Sequence, residues 1–256
     1  MPAPSPASSR PSAGEPQVIC AVCATASRQA PFRPSPPEQA PDLDLRPGEP
    51  VRGTMERWLQ QCPRCGYAAP SIAKVHPAAA QAVVAAPFRA LLAETGHPPL
   101  ARRFLAWAHV LEETGALHAA AEATLQAAWV ADDVRQPDLA RAWRLEAVAL
   151  WRAGPALDAE QTVRVVDALR RAGALDDARA TAETLQRADP GEAVAQVVAL
   201  ELRLIAAGDE GRHTVASALP PPARRPHVTH QRLPGRGGDQ PGEGLFGRLR
   251  RFFRRS

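Results

Sequence analysis

The chain has 256 residues, 45% of them hydrophobic, with 27 prolines, four cysteines and a formal net charge of +4. That length accommodates one sizeable domain plus a small one, but prolines gathered in the first fifty residues and again between Leu219 and Pro241 exclude packing all of it. The charge is uneven: from Arg212 to Ser256 ten arginines face only Asp239 and Glu243, giving +8, while the other 211 residues sum to −4, which excludes a broad basic face for nucleic acid on the folded body.

Residues 1–16 read as a disordered N-terminus. They contain no continuous apolar run, so a secretory signal is not expected. No later stretch reaches the roughly eighteen uninterrupted apolar residues of a membrane span. The expected location is the cytoplasm, where thiols stay reduced. Arginine outnumbers lysine thirty to one, and alongside abundant Ala, Pro and Gly this fits a GC-rich genome more simply than phosphate recognition.

Residues 17–70 hold all four cysteines, as Cys20 and Cys23 in "CAVC" and Cys62 and Cys65 in "CPRC". Two-residue spacing lets both thiolates of a pair face one ion, and two pairs complete the tetrahedron that zinc prefers. The alternatives are a redox pair or reactive thiols, but a thioredoxin-like reading needs a βαβ context that neither pair has. Four sulfur ligands leave no open position for water, so zinc would fold the segment rather than hydrolyse a substrate. Gly66 suits the sharp turn after the second pair; Ala24 holds the matching place after the first and makes that turn less favourable. "TMERWLQQC" lacks Pro and Gly and is expected to form a strand leading into the second pair. Alternation would set Asp42 and Asp44 on one strand face, where a solvated surface or a salt bridge to Arg46 or Arg52 is expected rather than acid–base catalysis.

Residues 71–211 read as six or seven helices of 12 to 18 residues joined by short turns. Leu100, Phe104, Trp107, Ala108 and Leu111 recur at helical spacing before Gly115, and Leu175, Ala178, Ala182 and Leu185 do so before "DPG" at 189–191. Gly173 and Gly208 lie 35 residues apart, each closing a helix. "ALRRAGALDDARATAETLQRADPG" has the form of a tetratricopeptide-type repeat, and "FLAWAHVLEETGALHAAAEATLQAAW" is similar, in a degenerate array. A plain helical bundle is the alternative. Trp107, Trp129, Trp143 and Trp151 are expected in the core, His109 and His118 as ordinary helix residues, and Asp132, Asp133 and Asp138 at a turn and the following cap.

Residues 212–243 read as a disordered linker, in which His227 and His230 make a poor metal site. Residues 244–256, "GLFGRLRRFFRRS", form a basic amphipathic tail. At 100° per residue Leu245, Phe246, Leu249, Phe252 and Phe253 share an arc of about 120°, with Arg248, Arg250, Arg251, Arg254 and Arg255 opposite. This layout suits a helix lying on an anionic membrane surface; a partner's groove, a nucleic-acid contact or an unstructured end compete with it.

The run "DLDLRPGEPVRGTMERWLQQCPRCGYAAPSIAK", residues 42–74, resembles a bacterial family of unknown function with a double C-x-x-C ribbon, its second pair in a Cys-Pro-x-Cys-Gly-Tyr-Ala context, followed by tetratricopeptide-like helices. Cys62, Pro63, Cys65, Gly66, Tyr67 and Ala68 match, as does "DLDLRP" at 42–47, and the likeness extends over about residues 20–155. The resemblance implies zinc and helices and supplies no reaction. In the first pair Ala21 and Ala24 stand where ribbons usually have Pro and a trailing Gly.

The expected fold is mainly α: a small N-terminal zinc ribbon plus a tetratricopeptide-like helical-hairpin domain. The expected function is a non-enzymatic adaptor whose helices bind a protein partner and whose tail contacts the inner membrane face. A nucleic-acid-associated factor and a thiol redox sensor are the alternatives. No nucleophile, base and orienting partner occur together, and no small-molecule substrate is indicated.

Overall fold

A computed structural model describes residues 14–33 and 35–218. It is mainly helical, with two small antiparallel hairpins near the N-terminus that carry the cysteines. Strand β1 (Gln17–Ile19) pairs with β2 (Ala26–Arg28), and β3 (Gln60–Gln61) with β4 (Ala68–Ala69). The helices are α1 (Ala79–Ala82), α2 (Ala86–Ala93), α3 (Pro99–Glu112), α4 (Leu117–Asp133), α5 (Pro137–Ala153), α6 (Ala159–Arg171), α7 (Leu175–Arg187) and α8 (Glu192–Ala206).

Each helix from α3 to α8 packs on the next, and α6 also touches α8. Two of the turns follow one rule. After α3, Gly115 has φ +70° and the Ala116 N–H returns to the Leu111 carbonyl at 3.0 Å. After α6, Gly173 has φ +79° and the Ala174 N–H returns to the Leu169 carbonyl at 2.9 Å. This is the glycine-closed helix end that a left-handed residue permits. The next helices then start alike, from Ala116 (φ −79°, ψ 56°) and Ala174 (φ −83°, ψ 58°). The α3–α4 and α6–α7 pairs are therefore the same hairpin built twice from "GAL". Between α4 and α5 the left-handed position falls on Arg135 (φ +59°), a helix end without the glycine that would reveal it.

Apolar faces explain the packing. In α5, Ala140, Trp143, Ala147, Val148 and Trp151 are buried at helical spacing, and they join Phe104, Leu125, Trp129 and Leu169 in the main core. Trp129, Trp143 and Trp151 are buried as expected, whereas Trp107 is half-buried with its ring edge-on to His76.

The ribbon shares this packing. Cys20, Cys62, Tyr67, Ala68 and Ile72 form one cluster with Phe88 of α2 and Ala106 and Val110 of α3, and Leu43, Met55 and Leu59 enter the main core.

Two segments differ from the expectation. "TMERWLQQC" begins as the end of a 3-10 helix, Arg52–Arg57, and only Gln60–Gln61 is strand. Thr54 Oγ1 donates to the Val51 carbonyl at 2.6 Å and accepts from Trp58 Nε1 at 3.0 Å, local bonds that favour a turn over a ladder. Residues 212–218, assigned to the linker, pack onto the body. The Leu43 N–H donates to the His213 carbonyl at 3.0 Å, the Val215 N–H to the Pro41 carbonyl at 2.9 Å, and Thr214 bridges Asp42. Residues 1–13 and 219–256, including the tail residues Leu245 to Arg255, lie outside the described residues. Among the described residues no helix is long and apolar enough to cross a membrane.

Candidate metal centre

The two hairpins present their cysteines through equivalent turns. The Cys20 N–H donates to the Thr25 carbonyl and the Ala24 N–H to the Cys20 carbonyl, both at 2.9 Å. Forty-two residues later in the chain, the Cys62 N–H donates to the Tyr67 carbonyl at 2.9 Å and the Gly66 N–H to the Cys62 carbonyl at 3.0 Å. The fifth position of each turn is left-handed, with φ +57° at Ala24 and +76° at Gly66. Only the second carries glycine, so the first holds a strained alanine. A Cβ at Gly66 would also lie 2.2 Å from Leu92 Cδ1 of α2, so the end of that side chain would have to move aside. The side-chain amide of Gln29 joins the hairpins, donating to the Gln61 carbonyl at 3.0 Å and accepting from the Gln61 N–H at 3.3 Å.

All four sulfurs come within 4.8 Å of one another, so the residues expected as ligands are brought together. Cys20 Sγ lies 3.8 Å from Cys65 Sγ, and Cys23 Sγ lies 3.5 Å from Cys62 Sγ. A tetrahedron with metal–sulfur bonds of about 2.3 Å has edges of about 3.8 Å. The chemistry of the donors fits too. The backbone N–H groups of Val22 and Cys23 lower the Cys20 thiol, that of Thr25 lowers Cys23 and that of Tyr67 lowers Cys65, which favours thiolate. Burial pushes the Cys20 and Cys65 thiols up, whereas the Thr25 hydroxyl brings Cys23 down to about 6. Several thiolates at this separation need a cation among them. The four residues thus suit a metal ion held entirely by sulfur.

The main core holds a buried ionic clasp built on Asp42 and Asp44, for which the sequence suggested a solvated surface or a salt bridge. Asp42 and Asp44 do not alternate along a strand. The chain turns tightly at 42–46, with the Leu45 N–H on the Asp42 carbonyl at 2.9 Å and Leu45 itself at φ +63°. Both carboxylates are carried inside, where they are 1% and 0% exposed. Asp42 accepts from Arg52 at 2.6 Å, one of the partners foreseen. Asp44 instead accepts from Trp129 Nε1 at 2.7 Å, Arg171 at 3.2 Å and the Arg46 N–H at 3.1 Å. Arg46 reaches past it to Asp133 at 2.5 Å and to the Trp129 carbonyl, with its guanidinium 5.8 Å from the Trp129 ring. Asp132 closes the network, accepting from Arg144 at 2.5 Å and Arg171 at 2.7 Å. Burial works against ionising Asp132, but the two guanidinium groups outweigh it and hold its carboxyl below the usual 3.8.

The clasp joins the segment after the first hairpin to α4, α5 and α6, and it explains why "DLDLRP" is a unit. One signal was present in the sequence. Arg144 stands on the same helical face as Ala140, Trp143, Ala147 and Trp151, and an arginine at a core position demands a carboxylate nearby. His109 and His118 sit on α3 and α4 as ordinary helix residues, and the Asp132–Asp133 pair does fall at a helix end.

Compared with protein-family models, with curated proteins and with solved structures, the chain matches none, so the likeness read in residues 42–74 rests on those residues alone.

Proposed function

We propose that the chain is a zinc-ribbon scaffold: Cys20, Cys23, Cys62 and Cys65 hold zinc, helices α3 to α8 bind a protein partner, and the basic tail contacts an anionic membrane surface. The observation that carries this reading is the closed four-sulfur set fused to a run of consecutively packed helices. Zinc supplies a covalent-strength crosslink to hairpins too short to hold themselves, and a full sulfur shell offers no place for a substrate. Support for docking comes from a depression of about 580 Å³ across α6 and α7, where Leu157, Ala180, Leu185 and Pro190 provide an apolar floor and Arg152 and Thr181 a polar rim. Stacked helix pairs commonly bind extended peptides in such a place. The sequence supports the membrane contact through the separation of apolar and arginine faces between Leu245 and Arg255.

Because ribbon and helices share a core, the tests use the whole chain. Native mass spectrometry is expected to find one zinc per chain, lost in Cys62→Ser; a metal-free wild type would defeat the reading. Flotation with liposomes compares the full chain with one ending at Glu243. Capture that requires both tail and anionic lipid supports the membrane contact, and no flotation at any lipid composition removes it.

A further inference from the structure

On the far side of Arg171 from the clasp carboxylates, Asp167 and Arg170 of α6 and Glu201 of α8 form a cluster with 1%, 0% and 0% exposure. Arg170 Nε donates to Glu201 Oε2 at 2.7 Å and one terminal nitrogen donates to Asp167 Oδ1 at 2.5 Å. Its other terminal nitrogen donates to the carbonyls of Asp209 at 2.6 Å and Gly211 at 2.9 Å. Arginine is thus the post to which the strap after α8 is tied. The strap runs on to pair with residues 41–43, next to the clasp.

One cation faces two buried carboxyl groups. The second oxygens, Asp167 Oδ2 and Glu201 Oε1, have no hydrogen-bond donor although both are shut off from solvent. The two carboxyl groups sit on neighbouring nitrogens of one guanidinium, Nε and a terminal nitrogen, which sets them side by side. Two ionised acceptors in contact repel, whereas one proton between them makes a hydrogen bond and leaves the cluster neutral. We propose that Asp167 and Glu201 share a single proton in the folded protein, carried on Glu201 and donated to Asp167, so that with Arg170 they form a neutral latch holding the strap closed.

The surrounding charges agree. On the Asp167 side, the charge of Asp44 opposes ionisation while Arg170, Arg171 and Arg144 favour it, so Asp167 is the carboxyl that stays ionised; Glu201 has Arg170 as its favourable charge and Asp167 against it. In the strap, Asp209 is bound to the Gly211 N–H and to His213. From α7, which also packs on α8, the buried residues are Ala178, Ala182 and Leu185. Burial, followed by the Asp167 charge, raises the Glu201 carboxyl to about 9.

A folded carboxyl raised above its ordinary 4.5 keeps a proton that the unfolded chain releases. Its contribution is therefore complete below that value and is lost as pH rises toward 9, at about tenfold in the unfolding constant per pH unit. Glu201→Gln keeps a donor facing Asp167 and cannot titrate. Urea unfolding of the full chain at pH 6 and pH 9 is expected to show the ratio of wild-type to E201Q unfolding constants rising about a thousandfold. A ratio that stays constant would overturn the proposal, because Glu201 would then be ionised in the fold. Should E201Q fail to fold, infrared spectroscopy of the wild type decides. A protonated-carboxyl carbonyl band at neutral pH supports the shared proton, and a spectrum without it excludes one.

Discussion

In the ribbon, β1 and β2 pair over three residues and β3 and β4 over two, and the sulfurs of four cysteines supply the common centre. In the helical body, three tryptophans and rows of alanine fill the core, and the charges inside it are compensated by other side chains of the same chain. The difference follows from length of contact. Hairpins of two or three residues bury little surface of their own and rely on what they pack against, here α2 and α3, and in the reading proposed above on an ion among the four sulfurs. Helices of 13 to 17 residues such as α4 to α7 bury whole faces and can tolerate interior arginines, provided each finds a carboxylate.

The largest expected effect separates these regimes. Removing metal with a chelator, or Cys62→Ser, is expected to forfeit binding free energy on the order of 10 kcal/mol. Hydrogen exchange should then accelerate in β1 to β4 while α4 to α8 stay protected. Unchanged protection in the hairpins would mean that they do not depend on an ion. Next comes the clasp. Asp44→Ala leaves the buried Trp129 indole N–H without its acceptor and Arg171 with Asp132 as its one remaining carboxylate, and it is expected to cost about 3–5 kcal/mol in urea unfolding. The exposed pair Arg152–Asp177, bidentate at 2.8 Å, is the control, and Asp177→Ala should cost under about 1 kcal/mol. Equal losses at the two sites would erase the contrast between buried and exposed pairs.

Within the ribbon, the two turns can be set against each other. Gly66→Ala adds a Cβ to a left-handed position already closed by Leu92 and is expected to cost about 2–3 kcal/mol. Ala24→Gly relieves the same conformation at the other knuckle and should gain up to about 1 kcal/mol, since the relief exceeds the added chain entropy. A loss at Ala24→Gly would show that the left-handed alanine is not the weaker turn. The pH response of the clasp is smaller and confined to acid. Asp132 is held below its ordinary 3.8, so its stabilisation is present above that pH and disappears as pH falls through the lower folded value. In Asp132→Asn that part of the acid transition should be missing; an unaltered acid limb would place the dependence elsewhere.

The sequence was most legible where structure is local. Two C-x-x-C pairs in one chain announced their meeting, because spacing alone directs both sulfurs of a pair to one side. Gly115, Gly173 and Gly208 marked helix ends, because a left-handed residue there favours glycine. Arg135 performs the same task and was invisible for lack of one. The 3-10 turn at Arg52–Arg57 was missed because Thr54 and Trp58 settle it through side-chain bonds that composition does not reveal.

What the sequence determined by itself, then, is the class of the fold, the clustering of the four cysteines and the helical period, all set by residue type and spacing within a few turns of chain. Tertiary structure alone decided where the charges went. Asp44 meets Arg171 across 127 positions, and Arg46 meets Asp133 across 87. Whether a carboxylate lies in water or beneath a tryptophan depends on which distant guanidinium arrives to compensate its burial, and no local pattern of residues carries that information.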